Sequence, residues 1–236
     1  MDQLNSEPQP ASPAPAFPPE ALLSLSLRDG WEALKREPAI LIGFVLLKIP
    51  VTAMVAIMLG GSSAIGSAFA PEGVRHLQSL LWGSIFALLD GIFSIGILYA
   101  ALRVLRKEPV PFATFFAGFT RFVPVVIGLV LMELIVGFGI MFFVAPGIIF
   151  ALAFSQWALL VMDRNVDARE ALSRSWQMMR GYKADYFLLW LVLIAINILG
   201  LIPLGLGLIV TVPVTYATQA AFYDRLQRLQ AQRASA

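Results

Sequence analysis

The chain has 236 residues, of which 58% are hydrophobic and 14% are charged, and its mean hydropathy is +0.79. Soluble domains carry about 25% charged residues, so this composition is typical of a membrane protein. The lack of cysteine excludes disulfides, thiolate nucleophiles and cysteine-ligated metals, and the single His76 excludes a histidine cluster. A net charge of +2 requires no nucleic-acid partner, because basic residues are expected to flank membrane spans.

A proline-rich segment begins the chain. Residues 1–19 contain six prolines, two acids and no base, a composition that predicts a disordered cytoplasmic tail. The segment has neither the basic start nor the apolar core of a secretory signal, so we expect no cleavage. Residues 8–19 are interpreted either as a proline-rich ligand for another protein or as an inert, solvated leader.

Six apolar stretches approach the ~20 helical residues that cross a bilayer core. The predicted spans lie near 39–60, 78–102, 123–144, 147–162, 186–201 and 204–222. Ala145-Pro146-Gly147 separates the third span from the fourth and Leu201-Ile202-Pro203 the fifth from the sixth, so each pair is predicted to form a hairpin. The expected fold is all-α, a transmembrane helical bundle over 20–226 with a cytoplasmic tail at 227–236. For the short fourth and fifth spans, re-entrant segments are the alternative.

The basic residues supply an independent prediction of topology. Fifteen of the 17 Lys and Arg residues fall on one side of the six predicted spans, and cytoplasmic flanks are the side enriched in such residues. The exceptions are Arg75, in the 61–77 segment, and Lys48, within the first span. We therefore expect both termini in the cytoplasm and 61–77 as the sizeable external loop.

Three segments between spans are predicted to be amphipathic helices on the cytoplasmic membrane surface. In 166–182, apolar residues recur at helical spacing. Asp167 with Glu170 is typical of a capping box at the start of the helix, and Gly181 is expected to end it. Glu170 and Arg174 are predicted to form a favourable i,i+4 ion pair. The apolar positions of this helix are Ala168, Leu172, Trp176 and Met179.

The other two surface segments follow the same plan. The 111–122 segment places Phe112, Phe115, Phe116 and Phe119 on one face, and Leu27, Trp31 and Leu34 repeat the pattern before the first span. Each surface helix thus precedes a pair of spans. A true internal repeat is weakly supported, because any short linker lying on a bilayer becomes amphipathic.

A set of short motifs in the second half carries a resemblance. The motifs are Ala145-Pro146-Gly147-Ile148-Ile149, then Ala171-Leu172 with Ser175-Trp176 and Gly181, then Gly207, Pro213 and Tyr223. Over roughly 85–226 the chain resembles a broad group of uncharacterised bacterial multi-pass inner-membrane proteins, and also the membrane domain fused to some glycerophosphodiester phosphodiesterases. The resemblance implies a six-helix bundle in the bacterial inner membrane, and it supplies no catalytic residue.

Physical roles for these motif residues are mainly structural. Pro146-Gly147 is expected to turn a hairpin and to allow close approach of backbones, Pro213 to bend the last span, and Tyr223 to lie at the membrane interface. We favour these roles over ligand contacts.

Three ionisable residues lie within predicted spans: Lys48, Asp90 and Glu133. Lys48 and Glu133 lie at an estimated depth of about 14–15 Å and Asp90 at about 19 Å, so Lys48 is predicted to pair with one acid, preferably Glu133. The set is interpreted either as a structural clasp between helices or as a proton or cation relay.

The function predicted from the sequence is that of a non-enzymatic membrane protein without cofactor or metal, which organises a partner or affects membrane homeostasis and contacts anionic lipid through its basic face. The alternative is a small secondary transporter or channel that uses Lys48, Asp90 and Glu133, and a water-reachable cavity at that set would favour it. An intramembrane enzyme acting on lipid is the least favoured interpretation, because no positioned nucleophile accompanies the charged set.

Overall fold

The computed structural model describes residues 19–67 and 71–235, and these residues form helices without any strand. The tail prediction for residues 1–18 lies outside the described residues. The helices are α1 (Pro19–Arg36), α2 (Pro38–Ser67), α3 (Glu72–Leu105), a 3₁₀ helix (Phe112–Phe116), α4 (Ala117–Thr120), α5 (Phe122–Phe142), α6 (Val144–Phe154), α7 (Trp157–Arg164), α8 (Ala168–Met178), α9 (Lys183–Leu201) and α10 (Leu208–Ser235).

Five stretches of the described chain are long and apolar enough to cross a membrane. They are Pro38–Met58, Glu72–Leu105, Phe122–Phe142, Val144–Arg164 and Lys183–Leu201. The sixth predicted span, 204–222, is not among them, because α10 begins only at Leu208 and its apolar part is interrupted by threonines and a glutamine. The prediction of an all-α fold is thus confirmed for the described residues, and five of their helical stretches are candidate membrane spans.

Several predicted boundaries differ from the observed ones. Most of the described part of the predicted 61–77 loop is helical, because α2 continues to Ser67 and α3 begins at Glu72. The predicted short spans are both longer than expected, with 21 residues in Val144–Arg164 and 19 in Lys183–Leu201. The first of these is interrupted between α6 and α7, where Ser155 and Gln156 leave the regular helix.

The hairpin between α5 and α6 turns at Phe143, whose backbone is extended, and not at Pro146 as predicted. Pro146 lies in the first turn of α6, where its missing N–H breaks no intrahelical bond. Gly147 permits the two helices to touch: a Cβ built on Gly139 would lie 2.7 Å from the Cα of Gly147. The predicted close approach of backbones is therefore confirmed at this pair.

The three segments that were predicted to lie on the surface pack against the bundle. In α1, Leu22 and Ala33 are buried, and Gly30 lies so close to Thr218 of α10 that a side chain would not fit there. In the 3₁₀ helix, Phe115 is fully buried and stacks on Phe93 of α3 with ring centroids 5.2 Å apart. These segments therefore contribute to the protein core as well as to its surface.

The α8 helix follows the predicted pattern in part. Asp167 lies at the N-cap position, but its side chain makes no cap hydrogen bond, so the predicted capping box is wrong. Glu170 and Arg174 form the predicted ion pair at 2.6 Å, and Gly181 has the left-handed backbone (φ +84°) that suits a stop after the helix.

Candidate functional site

Lys48 of α2 and Asp90 of α3 form an ion pair between two candidate membrane spans. The Nζ atom of Lys48 lies 2.9 Å from one carboxylate oxygen of Asp90 and 3.0 Å from the other. The Lys48 side chain is 17% exposed and that of Asp90 is 38% exposed. Lys48 therefore forms an ion pair with an acid of a neighbouring helix, as predicted, and that acid is Asp90.

Two hydroxyl groups extend this pair to a third helix. Lys48 also donates a hydrogen bond of 2.7 Å to the Oγ atom of Ser94, which lies one turn after Asp90. Tyr216 of α10 donates from its hydroxyl to the same Ser94 oxygen at 3.3 Å. The pair and its hydroxyl neighbours thus connect α2, α3 and α10.

The predicted preference for Glu133 as the partner of Lys48 is wrong. Glu133 is exposed on α5, and it forms no ion pair or hydrogen bond within the described residues. Similar depth along two helices suggested the pairing, but depth does not determine which face of a helix a residue occupies. The α5 helix points Glu133 outward, away from Lys48.

A pocket of about 360 Å³ adjoins the Lys48–Asp90 pair. Thr52 and Tyr216 contribute further polar groups, and aliphatic side chains of α2 and α10 form much of the remaining wall. The lining reaches Gly205 in the turn between α9 and α10. The pocket therefore extends from the ion pair to the end of the bundle at which α10 begins, and it does not include Glu133.

Ser175, a residue of the resemblance motifs, stabilises the interruption between α6 and α7. Its buried Oγ atom accepts a hydrogen bond of 3.1 Å from the backbone N–H of Gln156 and donates one of 3.0 Å to the carbonyl of Ala153. These two backbone groups flank the break in the helix. A hydroxyl of α8 thus replaces hydrogen bonding that the interrupted helix does not supply.

Trp176, Pro213 and Tyr223 occupy three different environments. The ring of Trp176 lies against Phe154 with centroids 5.5 Å apart, and the ammonium of Lys183 lies 4.1 Å from the Trp176 ring centroid. Pro213 lies inside α10. Tyr223 is fully buried within the protein. Its predicted position at the membrane interface stays a prediction.

Tyr223 belongs to a charged network that the sequence reasoning missed. The guanidinium of Arg106 forms a two-bond contact with the carboxylate of Asp163, donates to Asp224 at 2.9 Å and donates to Gln227 at 3.3 Å. The Tyr223 hydroxyl donates to Asp163 at 2.9 Å. The network joins the residue after α3 to the end of α7 and to α10.

The electrostatics of this network favour its charged form. Burial disfavours the charge on Arg106, but hydrogen bonds and attraction from Asp163 and Asp224 outweigh burial and raise the pKa of Arg106. Burial and the adjacent Asp163 carboxylate also raise the pKa of the Tyr223 hydroxyl, which therefore acts as a hydrogen-bond donor. The arrangement is suited to holding helices together.

A second pocket, of about 310 Å³, lies between α1, the end of α3 and α10. Its acids are all in ion pairs, Asp29 with Arg225, Glu32 with Arg28, and Asp224 with Arg106 and Arg228. Two of its bases, Arg36 and Lys107, form no ion pair within the described chain. The cleft therefore carries an excess of positive charge. Residues 19–67 and 71–235 contain no cluster of three or more acids or histidines suited to a metal ion.

One comparison with known proteins finds a similarity in the second half of the chain. A family model described as a protein of unknown function (DUF975) matches residues 135–230, which include the motif residues from Pro146 to Tyr223. No curated protein and no solved structure matches the chain. The match supports a likeness to uncharacterised proteins, and the likeness to phosphodiesterase-fused membrane domains stays an expectation from the sequence motifs.

Proposed function

We propose that this chain is a non-enzymatic integral protein of the bacterial inner membrane that binds anionic phospholipid headgroups at its cytoplasmic end and thereby organises the surrounding bilayer. The observation that carries the proposal is the charge balance of the cleft between α1, α3 and α10. Each acid in that cleft is already paired, whereas Arg36 and Lys107 are exposed and have no carboxylate partner among the described residues. A phosphate group supplies the missing negative charge.

The test compares two phospholipids with the same acyl chains. Phosphatidylglycerol added to the purified chain in detergent is expected to raise the midpoint of thermal unfolding more than phosphatidylcholine does. Lys107→Asn removes the charge and keeps a residue that tolerates the left-handed backbone at this position (φ 61°). Arg36→Gln removes the charge and keeps a donor for the Val104 carbonyl, which Arg36 contacts at 3.2 Å.

Each cleft variant is expected to lose at least half of the extra stabilisation that phosphatidylglycerol provides. Arg169→Asn is the matched control, because Arg169 is an exposed base of α8 that lies outside the cleft and has no ion pair in the described chain. Equal stabilisation by both lipids, or an equal loss in the control, would contradict the proposal.

The proposal includes the full topology predicted from the sequence: six spans, cytoplasmic termini and amphipathic helices at the cytoplasmic boundary. The distribution of basic residues supports it. Because the chain has no cysteine, single cysteines report accessibility without background labelling. A cysteine at Ser67 is expected to react from the external side and one at Arg169 from the cytoplasmic side. Labelling of both from the same side would contradict the six-span topology.

A second candidate function is transport of a proton or a small cation through the Lys48–Asp90 site. The pocket of about 360 Å³ favours it, because the pocket contains the ion pair and reaches the turn that precedes α10. Asp90→Asn is expected to abolish flux into proteoliposomes while the protein stays folded. Unchanged flux in that variant, or no flux in the wild-type chain, leaves the pair with a structural role.

A further inference from the structure

Glu133 is the most anomalous residue of the membrane-spanning region. It is the twelfth of the 21 residues of α5, so it lies near the middle of the span. It is exposed on the outer surface of the bundle and forms no hydrogen bond or ion pair with any described residue. Lipid tails provide no donor or acceptor for a carboxyl group, and ionisable groups in spans usually find a partner.

The surroundings of Glu133 form a contact surface. Gly137 follows one helical turn later, and a side chain added there would meet no atom within 4 Å. Leu134 and Phe138 beside it are 51% and 60% exposed. A small residue next to a polar one on an apolar helix face is the combination that lets two membrane helices approach closely and form a hydrogen bond.

We infer that a second copy of this chain covers the Glu133 face of α5, so that the two copies form a symmetric dimer in which the two Glu133 carboxyl groups are hydrogen-bonded to each other. Two carboxyl groups pair in this way when they share at least one proton. This inference goes beyond the proposed lipid cleft and is independent of it, because the cleft lies on α1, α3 and α10.

A second copy meets the requirement of this face with the residues of this chain alone. In a two-fold dimer whose axis runs along the membrane normal, equivalent residues of the two copies lie at the same depth. Glu133 of one copy therefore meets a carboxyl group at the level where the bilayer offers no other partner. A contact with Lys48 of the second copy is disfavoured, because Lys48 already binds Asp90 and Ser94 within its own chain.

Cross-linking in liposomes tests the dimer. Leu134→Cys places a single thiol on the proposed interface, and Ile198→Cys places one on α9 at a comparably exposed position, 57% against 51%. A thiol-reactive linker is expected to produce several-fold more dimer from the first variant than from the second, at protein densities too low for random collision. Equal cross-linking from both positions would overturn the inference and leave lipid as the occupant of this face.

Substitutions in the Leu134→Cys chain test the two features of the face. Glu133→Leu is expected to weaken dimerisation roughly three- to twentyfold, the range spanned by interhelical hydrogen bonds in membranes, whereas Glu133→Gln keeps a hydrogen-bonding side chain and most of the dimer. Gly137→Leu is expected to block the close approach. Gly43→Leu is the matched control, since Gly43 of α2 also has no atom within 4 Å of an added side chain. An undiminished dimer in Glu133→Leu, or equal effects of the two glycine variants, would overturn the inference.

Discussion

The Lys48–Asp90 pair and the Arg106 network both connect side chains from different helices, but they differ in how many partners share the charge. Lys48 contacts one carboxylate and one hydroxyl oxygen. Arg106 contacts two carboxylates and an amide oxygen, and one of those carboxylates also accepts from Tyr223. A charge at the end of a bundle can therefore be more completely partnered than a charge within a span.

The largest effect is expected from removing the centre of the Arg106 network. Arg106→Met leaves the largely buried carboxylates of Asp163 and Asp224 without their shared cation, and stranding buried charges costs about 3–5 kcal/mol. We expect a loss of free energy of unfolding near the lower end of that range, because Arg106 is 25% exposed. Equilibrium unfolding in mixed micelles measures it.

The triple variant Arg106→Met, Asp163→Asn, Asp224→Asn is expected to lose less stability than Arg106→Met alone, because no charge is stranded. Arg169→Gln, on an exposed base outside the network, is the control and is expected to change little. A loss in the triple variant equal to the sum of separate losses would show that the network members act independently.

The next largest effect is expected at the pair within the span. Lys48→Met leaves the partly exposed Asp90 without its cation, and we expect a loss of about 2–3 kcal/mol. The double variant Lys48→Met, Asp90→Leu is expected to recover part of that loss. Equilibrium unfolding in mixed micelles measures the free energy of unfolding of each variant. A double variant that is less stable than either single variant would contradict a structural clasp between the two residues.

A smaller effect is expected where a neutral hydroxyl connects helices. Ser175→Ala leaves the N–H of Gln156 and the carbonyl of Ala153 without their side-chain partner in a buried position, which costs about 1–2 kcal/mol. The control is Ser79→Ala, because Ser79 is exposed and, among the described residues, its hydroxyl bonds only to the carbonyl of His76 on the preceding turn. Equal midpoints of thermal unfolding for the two variants would show that the interrupted helix does not depend on Ser175.

The smallest effect is expected from the acid that has no partner within the chain. Glu133→Gln removes an exposed carboxyl group that forms no hydrogen bond or ion pair with any described residue, so the stability of the monomer is expected to change by less than about 0.5 kcal/mol. Asp90→Asn is the comparison and is expected to lose clearly more. A large loss of monomer stability in Glu133→Gln would indicate a contact of Glu133 within its own chain.

The sequence predicted the membrane-embedded helical character and the unusual charges for one physical reason. A charge inside an apolar stretch is costly in a bilayer, so Lys48, Asp90 and Glu133 were conspicuous without any structure. Asp163 and Asp224 were not conspicuous, since each follows the end of a predicted span, 147–162 or 204–222, where a charged residue is ordinary. No pattern in the neighbouring sequence distinguishes a charged side chain that is hydrated from one that bonds to a helix 60 residues away.

Hydropathy and helical periodicity determined that this chain forms apolar helices joined by amphipathic segments, because both depend only on residues close together in the sequence. The tertiary structure alone decided which faces meet. The rotation of α2, α3 and α5 about their axes brings Asp90 to Lys48 and turns Glu133 outward, although the depth estimated from the sequence matched Glu133 to Lys48 more closely. Helix rotation is determined by packing, such as the approach of Gly139 to Gly147, and packing depends on residues that the sequence order does not place together.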